Sequence, residues 1–320
     1  VFAYSDALFQ RSEEMIENPL FDMSDCTLCP RECHVNRLIG ETGYCQCTSD
    51  LLAARAALHM WEEPCISGAN GSGAVFFCGC NMGCVFCQNY DIAHARNGRK
   101  LTPEHLSDIF LMLQDKGAHN INLVTPSHYI PQIITALTQA KMYGLTIPVV
   151  YNTSAYEKVE VLRSLEGLVD VYLPDLKYFS STLSSKYSAA PDYFEVASAT
   201  IAEMVRQIPA AVFETDEDSL IKKGVIVRHL MLPGCEKDTR TILQYLHKIY
   251  GEQIYISIMN QYTPMPGIEN RFPELGRTIT PSEYDELVDY AIDIGVENGF
   301  IQEGETAKES FIPAFDNEGV

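Results

Sequence analysis

The sequence has no long apolar run, few basic side chains and only one tryptophan. No apolar segment reaches the roughly 20 residues that a membrane-spanning helix needs. The first residues also lack the basic stretch followed by an apolar one that marks a secretory leader. We therefore expect no membrane partner, while a trimmed leader stays open because the sequence begins at Val1.

Positive charge is scarce. The chain carries 23 Lys and Arg residues against 43 Asp and Glu residues, a net charge of −20, and no basic run. The phosphate backbone of a nucleic acid would be repelled by most of such a surface, so nucleic acid is an unlikely partner. The 320 residues, 46% of them hydrophobic, are enough to bury a large core.

Cysteine is plentiful, with eleven residues grouped mostly in short-spaced clusters. Such clusters suit metal binding in a reducing compartment better than a secreted disulfide framework, so we expect a cytoplasmic protein. The group of cysteines at positions 26–47 predicts a metal site. It could bind zinc or an iron-sulfur cluster additional to the one described next, because its spacing allows both. Its expected ligands are Cys26, Cys29, Cys33 and Cys45, with Cys47 as the alternative fourth.

The second cluster has three cysteines, Cys80, Cys84 and Cys87, directly after the apolar run 74–77. Three thiolates on one short loop can bind three irons of a cubane cluster and leave the fourth iron open to a ligand. A zinc knuckle or a disulfide set would need neither the preceding buried strand nor the Gln88-Asn89 pair that follows. The isolated cysteines are expected to be packed thiols: Cys65, Cys78 and Cys235, the last of which could also face the site.

This spacing, with Phe86 before the last cysteine, is typical of radical S-adenosylmethionine (SAM) enzymes, and residues 76–89 resemble pyruvate formate-lyase activating enzyme and its relatives. The resemblance implies a [4Fe-4S] cluster whose open iron binds SAM. Cleavage of SAM would then yield methionine and a 5′-deoxyadenosyl radical. It also implies a reducing electron donor such as flavodoxin or ferredoxin. The implied partner is a glycyl radical enzyme, or another protein or peptide substrate.

The remaining chain alternates apolar strands with amphipathic helices, which is typical of parallel βα units. We predict a Cys-rich amino-terminal segment, residues 1–73, and a catalytic domain, residues 74–320. The predicted strands are 74–79, 120–124, 147–151, 169–173, 225–231 and 253–259. Periodicity also allows a doubly wound sheet, whereas the resemblance implies an α/β fold with a partial (β/α)6 TIM-like barrel. In either fold the ligand site lies at the carboxyl ends of the strands.

Helix ends are marked by caps. Thr102 with Pro103 predicts a helix start and Gly117 its end, and residues 280–283 form a predicted capping box. Two further helices are predicted within residues 131–144 and 238–251.

Polar residues follow several of these strands. Asp175 and Lys177 alternate at a strand end, so both can point into the mouth of a barrel. Arg228 interrupts an apolar strand, which is costly unless it faces an anion, and a ligand carboxylate would supply one. Thr125 stands where relatives carry a Gly-Gly-Glu-Pro-like element, so its role rests on position only, and a turn is the alternative. By resemblance the cofactor-binding residues are Phe86, Asn89, Thr125, Asn152, Thr153, Asp175, Lys177, Arg228 and Gln261, with a monovalent cation beside Asp175.

Three functions are open at this point. The first is hydrogen abstraction from a glycine Cα of a partner protein, and the second applies the same radical to a small molecule or peptide. The third, a non-catalytic iron-sulfur protein, would need neither Arg228 nor the Asp175 and Lys177 pair. The carboxyl-terminal run 311–315 is apolar enough to cover the barrel or to dock a partner.

Overall fold

The computed structural model of the chain describes residues 18–94, 97–215, 219–302 and 313–320. Each of the six predicted strands is present, with small shifts at the ends. The described strands are β1 (Leu51–His59), β2 (Ser72–Phe77), β3 (Arg99–Leu101), β4 (Ile121–Val124), β5 (Val149–Thr153), β6 (Val171–Pro174), β7 (Val212–Phe213), β8 (Ile221–Leu230), β9 (Tyr255–Met259) and β10 (Gly299–Ile301).

The order of the strands decides between the two candidate folds. Across the sheet the order is β10-β9-β8-β6-β5-β4-β2-β1-β3, with β7 paired to β8. From β2 to β10 neighbouring strands are parallel and advance in chain order. A doubly wound sheet reverses its order at a switch point, whereas a barrel advances in one direction. The fold is the expected α/β, partial TIM-like architecture.

Helices cover this sheet. They are α1 (Pro64–Ser67), α2 (Tyr90–Ala93), α3 (Pro103–Asp115), α4 (Ile130–Met142), α5 (Val159–Arg163), α6 (Ser181–Ser188), α7 (Tyr193–Gln207), α8 (Glu236–Tyr250) and α9 (Pro281–Asp293). The central strands β2, β4, β5 and β6 are buried along their whole length, as expected for parallel strands covered on both faces. In the described residues, no helix combines the length and the apolarity needed to cross a membrane.

The predicted helix caps are present. The Thr102 hydroxyl accepts a hydrogen bond from the amide of His105 at the start of α3, and the chain leaves this helix through Gly117 at φ +86°. At α9 the Thr280 side chain and the Glu283 carboxylate bond each other's backbone amides, a complete capping box. These caps could be predicted because a helix cap depends only on residues close together in the sequence.

The amino-terminal part enters the sheet, which the predicted boundary at residue 73 did not foresee. β1 pairs antiparallel with β2, from Ala53 opposite Phe77 to His59 opposite Ser72. The boundary therefore falls inside β2. β1 escaped prediction because alanine, which fills much of it, has a low preference for strands. The division into two domains stays a prediction, and these hydrogen bonds favour placing it before β1.

The carboxyl-terminal run lies partly within the described residues. Phe315 packs edge-on against Phe76, with ring centroids 5.5 Å apart, and the amide of Ala56 donates to the carbonyl of Glu318. These contacts cover β1 and β2. Phe311 and Ile312 lie outside the described residues.

We expect Thr280→Ala to lower the free energy of unfolding by about 1 kcal/mol, because the variant loses the hydroxyl that caps α9. Thr278→Ala is the matched control, since Thr278 is exposed and lies outside the capping box. Denaturant unfolding of both apoproteins measures the difference. Equal midpoints would show that the cap contributes nothing.

Candidate active site

A cavity of about 230 Å³ lies at the carboxyl ends of the parallel strands. It brings together the three cysteines of the second cluster and every residue predicted to bind the cofactor. These residues are Cys80, Cys84, Cys87, Phe86, Asn89, Thr125, Asn152, Thr153, Asp175, Lys177, Arg228 and Gln261. Their individual roles stay predictions.

The loop with the three cysteines is shaped by two glycines. Gly79 lies at φ +88°, and a Cβ there would collide with Cys47 Sγ and lie 2.7 Å from the carbonyl of Cys45. Gly83, at φ +64°, packs under Tyr44, whose Oη would lie 2.8 Å from an added Cβ. Positive φ and the missing side chain are both required here, so glycine is needed for two reasons.

The three thiols are suited to iron. The Met82 amide donates to Cys80 Sγ at 3.4 Å and the Ser188 hydroxyl donates to Cys84 Sγ at 3.0 Å. Burial raises the pKa of the Cys80 and Cys87 thiols, so metal coordination is what would deprotonate them. In the described residues, no three His, Cys, Asp or Glu side chains converge as ligands of one metal ion. The three thiols are therefore placed so that each could bind a different iron of a cubane cluster.

Arg228 lies at the centre of a buried charge network. Its guanidinium donates to Asp175 Oδ1 at 2.9 Å, to Glu62 Oε2 at 3.1 Å and to Asn152 Oδ1 at 2.6 Å. Lys177 Nζ lies 2.6 Å from Asp175 Oδ2. Two carboxylates of the chain, Asp175 and Glu62, already pair with Arg228, and a contact between Arg228 and a ligand carboxylate stays a prediction.

The network is charged at neutral pH. Burial alone would raise the pKa of Asp175, but the positive charges of Arg228 and Lys177 outweigh it and lower that pKa. Burial would lower the pKa of Lys177, and the Asp175 charge reverses this. Both oxygens of Asp175 already face cations, and the monovalent cation expected beside it stays a prediction.

A second buried carboxylate orients Thr153. Glu157, 3% exposed, accepts hydrogen bonds from the hydroxyls of Ser127 at 2.5 Å, Thr153 at 2.5 Å and Tyr151 at 3.2 Å. Burial raises its pKa, although all three hydroxyls act against that shift. Because the Thr153 proton points to Glu157 and one lone pair accepts from the Ala155 amide at 3.3 Å, the other lone pair of the Thr153 oxygen is left to accept a hydrogen bond from a ligand.

The other predicted residues line the wall. Thr125 has a left-handed backbone, φ +58°, which is strained for a β-branched residue and is typical of functional sites. Phe86 packs edge-on against Tyr178 and Tyr262, at 6.4 and 6.3 Å between ring centroids. The Gln261 carbonyl accepts from the Gln88 side chain at 2.8 Å, which ties the cysteine loop to the end of β9.

Sequence reasoning missed Glu62 and Glu157, and it named Gln88 only as part of the cysteine motif, without a role in the site. Glu62 follows β1, which had not been recognised as part of the sheet. Glu157 lies beyond a strand end, in a segment without any cofactor-like pattern. The signal that could have found Glu62 is the need of Arg228 for a buried anion.

The remaining predicted cysteines fall into two groups. Cys26, Cys29, Cys33 and Cys45 line a second, smaller cavity, and Cys47 is absent from its lining. The Cys47 thiol donates instead to the carbonyls of Cys45 and Cys78. The expected packed thiols are all buried, and none lines the larger cavity: Cys65, Cys78 and Cys235.

Comparison with known proteins identifies the superfamily. Residues 74–213 match the family model of the Radical SAM superfamily. Residues 74–213 therefore carry a radical SAM domain. The family accounts for the cysteine spacing and implies a [4Fe-4S] cluster and SAM, and the chemistry and placement of the three thiols fit such a cluster.

Individual relatives are distant. The uncharacterized protein MJ0674 of Methanocaldococcus jannaschii is 27% identical over 275 residues, 83% of this chain and 74% of that protein. Ribosomal RNA large subunit methyltransferase Cfr of Bacillus velezensis is 23% identical over 250 residues, 75% of this chain and 66% of the relative.

Two solved structures are similar in part. A domain of pyruvate-formate lyase-activating enzyme from Bacteroides vulgatus has 12% identity and a TM-score of 0.38, covering 55% of this chain and 92% of that domain. SuiB of Streptococcus suis bound to S-adenosylmethionine has 14% identity and a TM-score of 0.48, covering 70% of this chain. The match spans 48% of the SuiB chain.

We expect Gly79→Ala to destabilise the protein by several kcal/mol, because its Cβ would strike the backbone of Cys45 as well as the thiol of Cys47. Gly117→Ala is the matched control. Gly117 has nearly the same φ, +86°, but nothing within 4 Å of an added Cβ, so it should cost about 1 kcal/mol. Thermal unfolding of the apoproteins compares them, and equal losses would refute the close contact.

We expect Arg228→Gln to cost about 3–5 kcal/mol of stability, because Asp175 and Glu62 would keep buried charges without a full partner. Adding Glu62→Gln should recover part of that loss. Lys100→Gln is the control, since Lys100 forms an exposed ion pair with Asp50 worth less than about 1 kcal/mol. Denaturant unfolding of the wild-type protein, the two single variants, the double variant and the control gives the five values. Additive losses in the double variant would contradict the network.

Proposed function

We propose that this chain binds a [4Fe-4S] cluster through Cys80, Cys84 and Cys87, cleaves SAM reductively, and uses the radical to abstract hydrogen from a polypeptide. The observation that carries the proposal is the single cavity in which the three thiols meet the polar residues from five other strand ends. When bound, the cluster and SAM supply one electron and a 5′-deoxyadenosyl radical. A non-catalytic iron-sulfur protein would not need this convergence.

The residues of the chain bind and orient SAM. The Thr153 oxygen, whose proton is committed to Glu157, would accept from the amino group of SAM. Lys177 and Arg228 would face its carboxylate, sharing their charge between that group and Asp175. Apolar side chains such as Phe86 and Met259 shield the cavity from water.

A glycine Cα in a partner protein is the target we favour. It is supported by the resemblance of residues 76–89 to the activating-enzyme motif. The net charge of −20 argues against RNA, the substrate class named for the relative Cfr. The low-potential electron is expected to come from flavodoxin or ferredoxin in the cytoplasm.

We expect the anaerobically reconstituted protein, given SAM and dithionite, to form 5′-deoxyadenosine. Cys84→Ser should abolish this product, because one ligand of the cluster is lost. Cys65→Ser should retain it, since Cys65 is equally buried but lines neither cavity. Liquid chromatography of the quenched reaction measures the product. Its absence from the reconstituted wild-type protein would refute the radical step.

The target is tested in the same reaction. We expect deuterium to enter 5′-deoxyadenosine when the added protein fraction comes from cells grown on glycine deuterated at Cα. Total RNA from cells grown in fully deuterated medium, which carries deuterium on its ribose and base carbons, is the opposing probe. Deuterium from the RNA alone would overturn the polypeptide assignment while leaving SAM cleavage intact.

A further inference from the structure

A second cavity, of about 10 Å³, lies in the amino-terminal segment, apart from the proposed SAM site. It combines four thiols with an imidazole and apolar side chains. Its lining is Cys26, Leu28, Cys29, Cys33, Val35, Arg37, Gly43, Cys45 and His128. Thiols and imidazole are the side chains that bind iron and zinc most readily.

The backbone is shaped around one of these thiols. A Cβ at Gly43 would lie 2.7 Å from both Cβ and Sγ of Cys33, so only glycine leaves room. The amide of Tyr44 donates to Cys33 Sγ at 3.3 Å. Amide hydrogen bonds to sulfur are a regular feature of iron-sulfur sites, where they stabilise the thiolate.

Arg37 brings a positive charge that no carboxylate in the described part of the chain pairs with. It is 1% exposed, and it donates to the carbonyls of Thr48 at 2.7 Å and His128 at 3.0 Å. Its Nη1 lies 4.0 Å from Cys26 Sγ. A buried guanidinium that meets only neutral oxygens is expensive. Thiolates bound to a metal centre would supply the missing negative charge.

His128 gives an independent sign of a ligand. Its Nε2 lies 2.6 Å from the carbonyl of Cys78, so Nε2 carries the proton and Nδ1 keeps a lone pair. That Nδ1 is buried and has no hydrogen-bond partner in the described part of the chain. A buried lone pair is costly unless it meets a hydrogen-bond donor or a metal ion, which points to a bound group in this cavity.

We propose that Cys26, Cys29, Cys33 and Cys45 bind a second iron-sulfur cluster. Zinc would draw four sulfurs to about 2.3 Å from one point. Within the described residues no three such side chains converge on one point, although all four thiols line the same cavity. A cubane cluster, whose irons take one thiolate each, fits that arrangement. Cys47 then serves as a hydrogen-bond donor beside the cluster, not as a ligand.

Iron and sulfide analysis after anaerobic reconstitution tests this. The triple variant Cys80→Ser, Cys84→Ser, Cys87→Ser, which lacks the first site, should still hold about four irons and four sulfides per chain. Adding Cys29→Ser should reduce both nearly to zero, whereas adding Cys65→Ser should change neither. One zinc per chain without sulfide, or no metal, would overturn the proposal.

A second measurement covers the possibility that the triple variant does not fold. The wild-type protein should hold about eight irons per chain and Cys29→Ser alone about four, with 5′-deoxyadenosine formation measured in parallel. About four irons in both proteins would refute the second cluster. The number of irons per chain does not depend on SAM. The evidence for the second cluster would therefore hold even if SAM cleavage failed.

Discussion

The buried charge network around Arg228 holds the carboxyl edge of the sheet together. Arg228 reaches from β8 to Asp175 after β6, to Asn152 on β5 and to Glu62 after β1. A backbone hydrogen bond adds to this network, since the Leu176 amide donates to the Arg228 carbonyl at 2.8 Å. Each charge is satisfied only while the four segments stay in place. The network therefore fixes the spacing of the strand ends before any ligand arrives, and a site fixed in advance loses less entropy on binding.

Local signals in the sequence predicted much of this arrangement. The central strands could be predicted because both of their faces are buried and rich in Val, Ile and Leu. The cysteine loop could be predicted because the spacing of its three cysteines suits the ligands of a metal cluster. Arg228, Asp175 and Lys177 stood out as charges at the ends of apolar strands. What the sequence could not show was pairing across long separations. Nothing near Arg228 in sequence points to Glu62, which is 166 residues away.

The amino-terminal segment and the cysteine loop pack closely against each other. Arg31 stacks on Tyr44, 3.9 Å from the ring centroid, and donates to the carbonyl of Asn81 inside the loop. From the other side the Cys47 thiol fills the space that Gly79 leaves open. Each segment therefore depends on contacts with the other for its shape. A domain boundary predicted from composition alone does not detect such contacts, and it fell inside β2.

The same contacts place the two proposed metal sites on one wall. Arg37, in the smaller cavity, donates to the carbonyl of His128. The neighbouring Ser127 donates to Glu157, which also receives the proton of Thr153 in the larger cavity. A displacement of the 127–128 turn would therefore alter both cavities at once. Since the turn follows the strained Thr125, its geometry is held by these bonds and not by its own backbone preference. Loss of the amino-terminal centre should thus disturb the orientation of Thr153 even where Cys80, Cys84 and Cys87 are intact.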